Sequence, residues 1–350
     1  MIQNYIKIAF RTILKNRSYA LLNVAGLSLG LASAFLIFAL VRYHFNIDQH
    51  HANADRIYRV TTQFLSPGGN GNTTGVPYPF GKNLRTDHPQ IEQVCMIEEI
   101  YEPMVLIEEK GQIKKLKDAG QNHRGAFVEP NFFKIFDYQW VAGGIAEMAN
   151  PNTVVLSEKY ANKFFGTTQC IGKVFKYEGR LSLKVVGVFA DYQDNTDFPF
   201  NIMPSYASLK EYLGGPLNED FGSINSSTQC FVLLNDKFTK ANWDKQSINF
   251  VKKHKPDGVK DTRFMITNLR ENHFSPDFGQ VSKNLAPSLR NMISLFILFF
   301  SWAGGISLQA QEKKRMKRKI IFLREGAIFF IFSIILSFGT STKRLLTVHY

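Results

Sequence analysis

Residues 20–41 read ALLNVAGLSLGLASAFLIFALV, 22 residues without a charge. At 1.5 Å per residue a helix over this stretch reaches about 33 Å, the thickness of a bilayer's hydrocarbon core. It predicts a transmembrane helix. Ala32-Ser33-Ala34 has the small-x-small form of a leader cleavage site, but it lies in the middle of the apolar run, and the basic region ahead is unusually long for a leader. An uncleaved anchor is the reading.

Working outward, residues 1–19 hold Lys7, Arg11, Lys15 and Arg17 and no acid. Ile2, Ile6, Ala9, Phe10 and Ile13 recur at helical spacing on the other side, which predicts a basic amphipathic helix lying on membrane lipid at the cytoplasmic interface. A second uncharged run, 291–308, is followed at 309–319 by QAQEKKRMKRK. These basic flanks together with residues 320–350 carry +11 of the net +13. The basicity therefore belongs to membrane edges. A nucleic-acid face would spread it over the folded middle, so nucleic acid is excluded as a partner. The positive-inside rule places 1–19 and the 309–319 loop in the cytoplasm and 42–290 outside. The run 320–338 carries Arg324-Glu325 near its start and is short for a crossing; residues 320–350 are read as a candidate third membrane segment and tail.

Several motifs invite chemistry and lose it in context. Gly26-Leu27-Ser28-Leu29-Gly30 spells a G-x-S-x-G nucleophile elbow, but that turn needs a strand before it and a helix after it. Inside a membrane helix, Gly26, Gly30 and Ala34 instead form a small-residue stripe suited to close helix packing. Gly75–Asn83 resembles a phosphate loop, yet its first Gly is one residue too far from Gly81-Lys82, and Asn83 stands where Ser or Thr belongs. His44, Asp48, His50 and His51 cluster just after the first span, at spacings that fit no standard zinc set; the expectation is a solvated extension of the membrane helix. Cys95, Cys170 and Cys230 all fall in the outside segment, and an odd number leaves one unpaired within the chain. No catalytic constellation, cofactor site or metal site is expected.

From Arg56 onward, short β-branched and aromatic runs alternate with helical stretches. Strands are predicted at 56–62, 153–156, 174–177 and 183–190, and a hairpin at 104–109 and 112–117 around Lys110-Gly111. Helices are predicted at 80–88 and 242–253, and another from a Ser157 cap to Phe165 with Gly166 as its stop. The fold class is therefore an α+β extracytoplasmic domain, expected in two lobes for its size, inserted between transmembrane α-helices.

Three stretches bear a family resemblance: Asn53-Ala54-Asp55-Arg56-Ile57-Tyr58-Arg59-Val60; the run from Thr153 to Gly166, TVVLSEKYANKFFG; and Ile171-Gly172-Lys173 leading into Val185-Val186-Gly187-Val188-Phe189-Ala190-Asp191. They resemble the periplasmic core domain of MacB-type ABC transporter permeases of the MacB/FtsX superfamily, and Asn4-Tyr5 through Gly26-Leu27 resembles the first span of its long members. The resemblance implies a multi-pass permease subunit of the bacterial inner membrane, without enzymatic activity of its own. It implies work as a homodimer or beside a related permease, with a cytoplasmic ABC ATPase that hydrolyses ATP in a separate subunit. Motion would pass to the outside domain and to a periplasmic or outer-membrane partner.

The C-terminal part departs from the pattern. Glu312, Lys313, Lys314 and Arg315 begin a plausible ATPase-coupling loop, but 316–323 lacks the family's Gly, and at most one further span follows. A C-terminally truncated, non-functional permease fragment is accordingly one alternative expectation. A membrane-anchored extracytoplasmic sensor is another, weakened because about 40 residues without heptads follow the second span. A membrane-tethered hydrolase is disfavoured by the missing catalytic groups.

Overall fold

The computed structural model describes residues 17–275, apart from 102, 110–111, 118–123, 192–195, 236 and 259, together with positions 4, 11, 14 and 15. Most of the amphipathic 1–19 segment, the runs 291–308 and 320–338, and the loop 309–319 lie outside the described residues. The chain divides into two units, Met1–Tyr43 with Asn284–Tyr350, and His44–Lys283.

Helix α1 (Arg17–Phe45), which belongs to the first unit as far as Tyr43, runs four residues past the end of the predicted span. Its stretch Gly26–Phe45 is long and apolar enough to cross a membrane. Leu27, Phe35, Leu36 and Phe38 are exposed along it, which suits a lipid environment and fits an anchor.

The second unit is built on one mixed sheet. Its strands are β1 (Ile57–Phe64), β2 (Gly71–Thr73), β3 (Gln93–Tyr101), β4 (Met104–Glu109), β5 (Gln112–Lys117), β6 (Arg124–Val128), β7 (Trp140–Gly143), β8 (Thr153–Ser157), β9 (Val174–Tyr177), β10 (Leu181–Phe189), β11 (Phe200–Pro204), β12 (Thr228–Leu233) and β13 (Thr262–Asn268). The spatial order is β13-β1-β12-β3-β6-β11-β8-β10-β9-β4-β5, with β2 beside β1 and β7 beside β10. Pairing is antiparallel except between β8 and β10 and between β6 and β11. Helices α2 (Phe80–Asp87), α3 (Glu158–Phe165) and α4 (Lys240–His254) accompany the sheet.

Alternation along the strands sorts the core. Cys95, Ile97, Ala126, Val128, Val155, Phe200, Met203 and Phe231 turn to one face, where they join Phe132, Phe136 and Phe198 in a central aromatic cluster. The opposite face carries two clusters. One gathers Val60, Met96, Val232 and Phe264 with Phe80 of α2 and Trp243 and Phe250 of α4. The other gathers Phe127, Val154, Leu156, Val185 and Val188 with Tyr160 and Phe164 of α3. The extracytoplasmic segment is therefore one compact unit on a continuous sheet, not the two lobes expected from its size.

Local chemistry starts and stops these elements. The Ser157 hydroxyl accepts from the Tyr160 N–H at 3.3 Å and so caps α3, and Gly166 ends that helix at φ 70°. Thr239 and Asn242 form a capping box that starts α4. The hairpin β4–β5 pairs Met104 with Lys117 through Glu109 with Gln112, in the predicted register. Cys95, Cys170 and Cys230 are buried free thiols.

Candidate functional site

The most elaborate polar arrangement of the second unit lies where the chain enters and leaves it. His44, Asp48 and His51 are buried rather than solvated, and of the predicted cluster only His50 is exposed. This corrects the expectation of a solvated helical extension. The physical reason is that α1 ends at Phe45, and the chain then reverses through Asp48, which adopts the left-handed conformation at φ 54°. The turn folds the three side chains onto distant parts of the domain.

His44 Nδ1 lies 3.0 Å from Nε2 of His273, with the ring planes 18° apart and the centroids 5.2 Å apart, so the rings meet edge to edge. His273 Nδ1 lies 2.9 Å from Asp197 Oδ1. If His273 donates its Nδ1–H to that carboxylate, its Nε2 is left to accept from His44 Nδ1–H, and all three groups are satisfied. Asp48 joins from the turn: its carboxyl accepts from the Asp197 N–H at 3.1 Å and from the Thr196 hydroxyl. Burial, with Asp197 beside it, pushes the Asp48 carboxyl up to about 7 despite those two donors. One residue on, Phe45 packs against Phe274 with ring centroids 5.0 Å apart.

His51 belongs to a neighbouring network. Its Nδ1 accepts from the Asp137 N–H at 3.3 Å, the Asp137 carboxylate accepts from the Ala52 N–H at 2.6 Å, and the ring stands edge-on to Phe136 at 5.1 Å. Burial, aided by His50, drops the His51 imidazole to about 3, so it is held neutral. Among the described residues no group of three or more His, Cys, Asp and Glu side chains is arranged to hold a metal ion.

The joint continues into backbone. β1, which begins just after this entry turn, pairs antiparallel with β13, the last strand, from Tyr58 opposite Asn268 to Phe64 opposite Thr262. The Asn268 carboxamide donates to the carbonyls of Ala54, Asp55 and Ile57 at 3.3, 2.9 and 3.3 Å, and Arg270 pairs with Asp55 at 3.0 Å. Entry and exit are therefore bound to each other by two rings, two aromatics, one ion pair and a strand ladder.

A second buried acid lies inside the sheet. Glu98 on β3 accepts from the Thr228 hydroxyl at 2.6 Å, and burial, with Glu99 adjacent, pushes it up to about 7. No signal in the sequence singled out Glu98, Asp197 or His273, because their partners are remote in the chain.

The other predicted site residues fall as follows. Gly26 is exposed with open space where a Cβ would stand, Gly30 is buried and Ala34 half-buried, all on α1. The G-x-S-x-G match is therefore helical and makes no elbow. Gly75 is a close-packing glycine: a Cβ there would meet the Asn225 carbonyl oxygen at 2.0 Å. Glu312, Lys313, Lys314 and Arg315 lie outside the described residues.

The family model of the MacB-like periplasmic core domain matches residues 20–246. The chain belongs to this family. Its membership places it with the ABC transporter permeases, whose MacB-like domain is periplasmic. Among solved structures it is similar to a domain assigned to a permease protein of Porphyromonas gingivalis, at 18% identity over 62% of this chain and 91% of that one, with a TM-score of 0.49. It is also similar to the periplasmic region of MacB from Actinobacillus actinomycetemcomitans, at 13% identity over 62% and 90%, TM-score 0.44. A third is the extracellular domain of the noncanonic ABC-type transporter YknZ from Gram-positive bacteria, at 12% identity over 60% and 100%, TM-score 0.40. No curated protein matches the chain.

The stretches that carry the MacB-like resemblance have structural work in this domain. Asn53 accepts the N–H groups of Arg56 and Ile57 through its carbonyl at 2.8 and 3.1 Å, turning the chain into β1. Ala54 and Ile57 enter the core, and Arg56 reaches the Leu234 carbonyl at 2.9 Å and pairs with Glu92. Asp191 accepts from the Lys159 N–H at 2.9 Å at the start of α3. Gly187 stands where a Cβ would press on Trp140 at 2.6 Å and Val155 at 3.0 Å, beside the bulge where β10 crosses β8.

Proposed function

We propose that this chain is a membrane permease subunit of an ABC-type export or mechanotransmission system, transmitting motion from a separate cytoplasmic ATPase to the MacB-like periplasmic domain. The observation that supports it is the pairing of entry and exit. Because His44 meets His273 and β1 lies beside β13, displacement delivered at either end of the domain acts on neighbouring strands of one sheet. A rigid lever needs its two attachment points coupled in this way. The subunit is multi-pass in the inner membrane and is not itself an enzyme. Gly26, Gly30 and Ala34 pack against a second copy or a related permease, and Glu312, Lys313, Lys314 and Arg315 contact the ATPase. A periplasmic or outer-membrane partner receives the motion.

The test is purification of tagged full-length protein from native membranes in mild detergent, with quantitative mass spectrometry of its companions. An ABC ATPase in near-stoichiometric amount is the expected result. A stable, correctly inserted protein that brings none down would overturn the reading.

A further inference from the structure

The root of the domain is closed by groups whose hydrogen-bonding sense depends on protons. Elsewhere entry and exit are joined by contacts indifferent to pH near neutrality: the Phe45–Phe274 packing, the β1–β13 ladder and the Asn268 carboxamide. His44 and His273 are different. Both rings are buried, and they meet nitrogen to nitrogen at 3.0 Å, a distance that requires one proton between them.

We infer that the His44–His273 contact is a proton-binding clasp: it ties the domain's entry to its exit while one of the two facing nitrogens is bare, and it lets go when both are protonated. In the resting arrangement His273 Nδ1–H donates to Asp197 Oδ1, and a single proton lies between His273 Nε2 and His44 Nδ1. A first additional proton is tolerated. It leaves one N–H between the rings, now charge-assisted, with Asp197 as counter-charge. A second additional proton leaves N–H facing N–H at 3.0 Å with no lone pair to receive either, and two like charges in a buried site.

Among the described residues, the charged and titratable groups around the pair come from three elements. Asp197 comes from the segment before β11 and touches His273 directly. Asp48 comes from the turn after α1, tied to Thr196 and Asp197. On the exit side, Arg59 of β1 reaches the Asn272 carboxamide oxygen at 3.4 Å, next to His273, and lies 5.9 Å over the Phe231 ring. Arg270 is turned to Asp55, and His51 is engaged with Asp137. Asp197 thus holds the first added proton in place, Asp48, itself raised to about 7, brings no charge to the pair in acid, and a cation near the exit opposes the second. Acid opens the clasp; neutrality closes it. The clasp needs neither nucleotide nor ATPase.

The test uses the full chain in lipid nanodiscs without nucleotide. Gln49 and Glu271, both exposed, are replaced by Cys and spin-labelled; the native cysteines are buried. Distance distributions are recorded from about pH 8 to about pH 5, the range over which imidazoles titrate. A second pair, Lys159→Cys with Lys252→Cys, both exposed, reports general loosening of the sheet. The expected result is a narrow entry–exit distribution at neutral pH that shifts longer and broadens in acid, while the second pair stays constant. His44→Phe, which keeps a planar ring and removes the protons, should abolish the shift, and Asp48→Asn should retain it. An entry–exit distance that does not change with pH would overturn the clasp, as would an acid shift that persists in His44→Phe.

Discussion

His44 and His273, 229 residues apart in sequence, stand with ring nitrogens at 3.0 Å and ring centroids at 5.2 Å. That contact makes the two ends of a long excursion into one place. The strands that follow and precede it, β1 and β13, are neighbours over seven paired positions, so the sheet begins and ends at a single root. The far end of the sheet, at the β4–β5 hairpin, is separated from that root by seven intervening strands.

Asn268 is the polar rivet of this root. Its Nδ2 donates to three carbonyls of the entry segment, and its Oδ1 accepts the Arg270 N–H at 3.0 Å to cap the exit turn. Asn268→Ala loses both functions and leaves partly buried carbonyls unpaired. The expected cost is about 1–3 kcal/mol, from one lost cap and lost backbone pairing. Denaturant titration of the full chain, followed by tryptophan fluorescence, checks it.

Asp48 and His51 lie three residues apart and push the pH dependence of stability in opposite directions. Asp48 is raised from 3.8 to about 7, so its contribution is complete below about 3.8 and is lost as pH rises through about 7. His51 is lowered from 6.5 to about 3, so its contribution is complete above about 6.5 and is lost as pH falls toward 3. Between about pH 4 and 6.5 the two slopes nearly cancel. Asp48→Asn tolerates the left-handed backbone and still accepts from Thr196. Relative to wild type it should gain stability as pH rises through this window. His51→Phe, packing on Phe136, should do the reverse. Each difference amounts to at most about 4 kcal/mol across the window. Unfolding midpoints at half-unit pH steps measure both, and parallel curves for the three proteins would refute the assignment.

Glu98 offers an independent check inside the sheet. Its carboxyl, raised by burial to about 7, gives a contribution complete below 4.5 and lost as pH rises through about 7. Glu98→Gln keeps an oxygen for the Thr228 hydroxyl and removes the charge. The variant should be more stable than wild type at pH 8, by about 1–3 kcal/mol after relaxation around the site, and indistinguishable near pH 4.5. Thermal unfolding at the two pH values decides.

Local rules were enough to find the hairpin strands at Met104–Glu109 and Gln112–Lys117, and the Ser157-to-Gly166 helix, whose cap and stop both act within four residues. They failed for β3, β6, β11, β12 and β13. β12 and β11 are buried along their whole length, on both faces, so TQCFVL and FNIMP show no two-residue alternation to read. β3 hides Glu98 and Glu99 in the same way, which disguises a central strand as a charged stretch. The root was illegible for a different reason. His44 and Asp48 drew notice as a local cluster, but their burial depends on Asp197 and His273, and nothing in the local spacing announces partners so far along the chain.

The small-residue stripe carries the last prediction. Gly26, Gly30 and Ala34 recur every four residues on α1, and Gly26 has open space where a side chain would begin. A glycine at such a position lets another helix approach to backbone contact, and in lipid that close approach, rather than burial of apolar area, supplies the attraction. Gly26→Ile with Gly30→Ile keeps the helix apolar and able to span while placing branched side chains in the path of a partner. Self-association measured by crosslinking or energy transfer between labelled copies in native lipid should fall several-fold, with membrane insertion unchanged. If the double variant associates as well as wild type, the copies meet through another surface and the stripe takes no part in self-association.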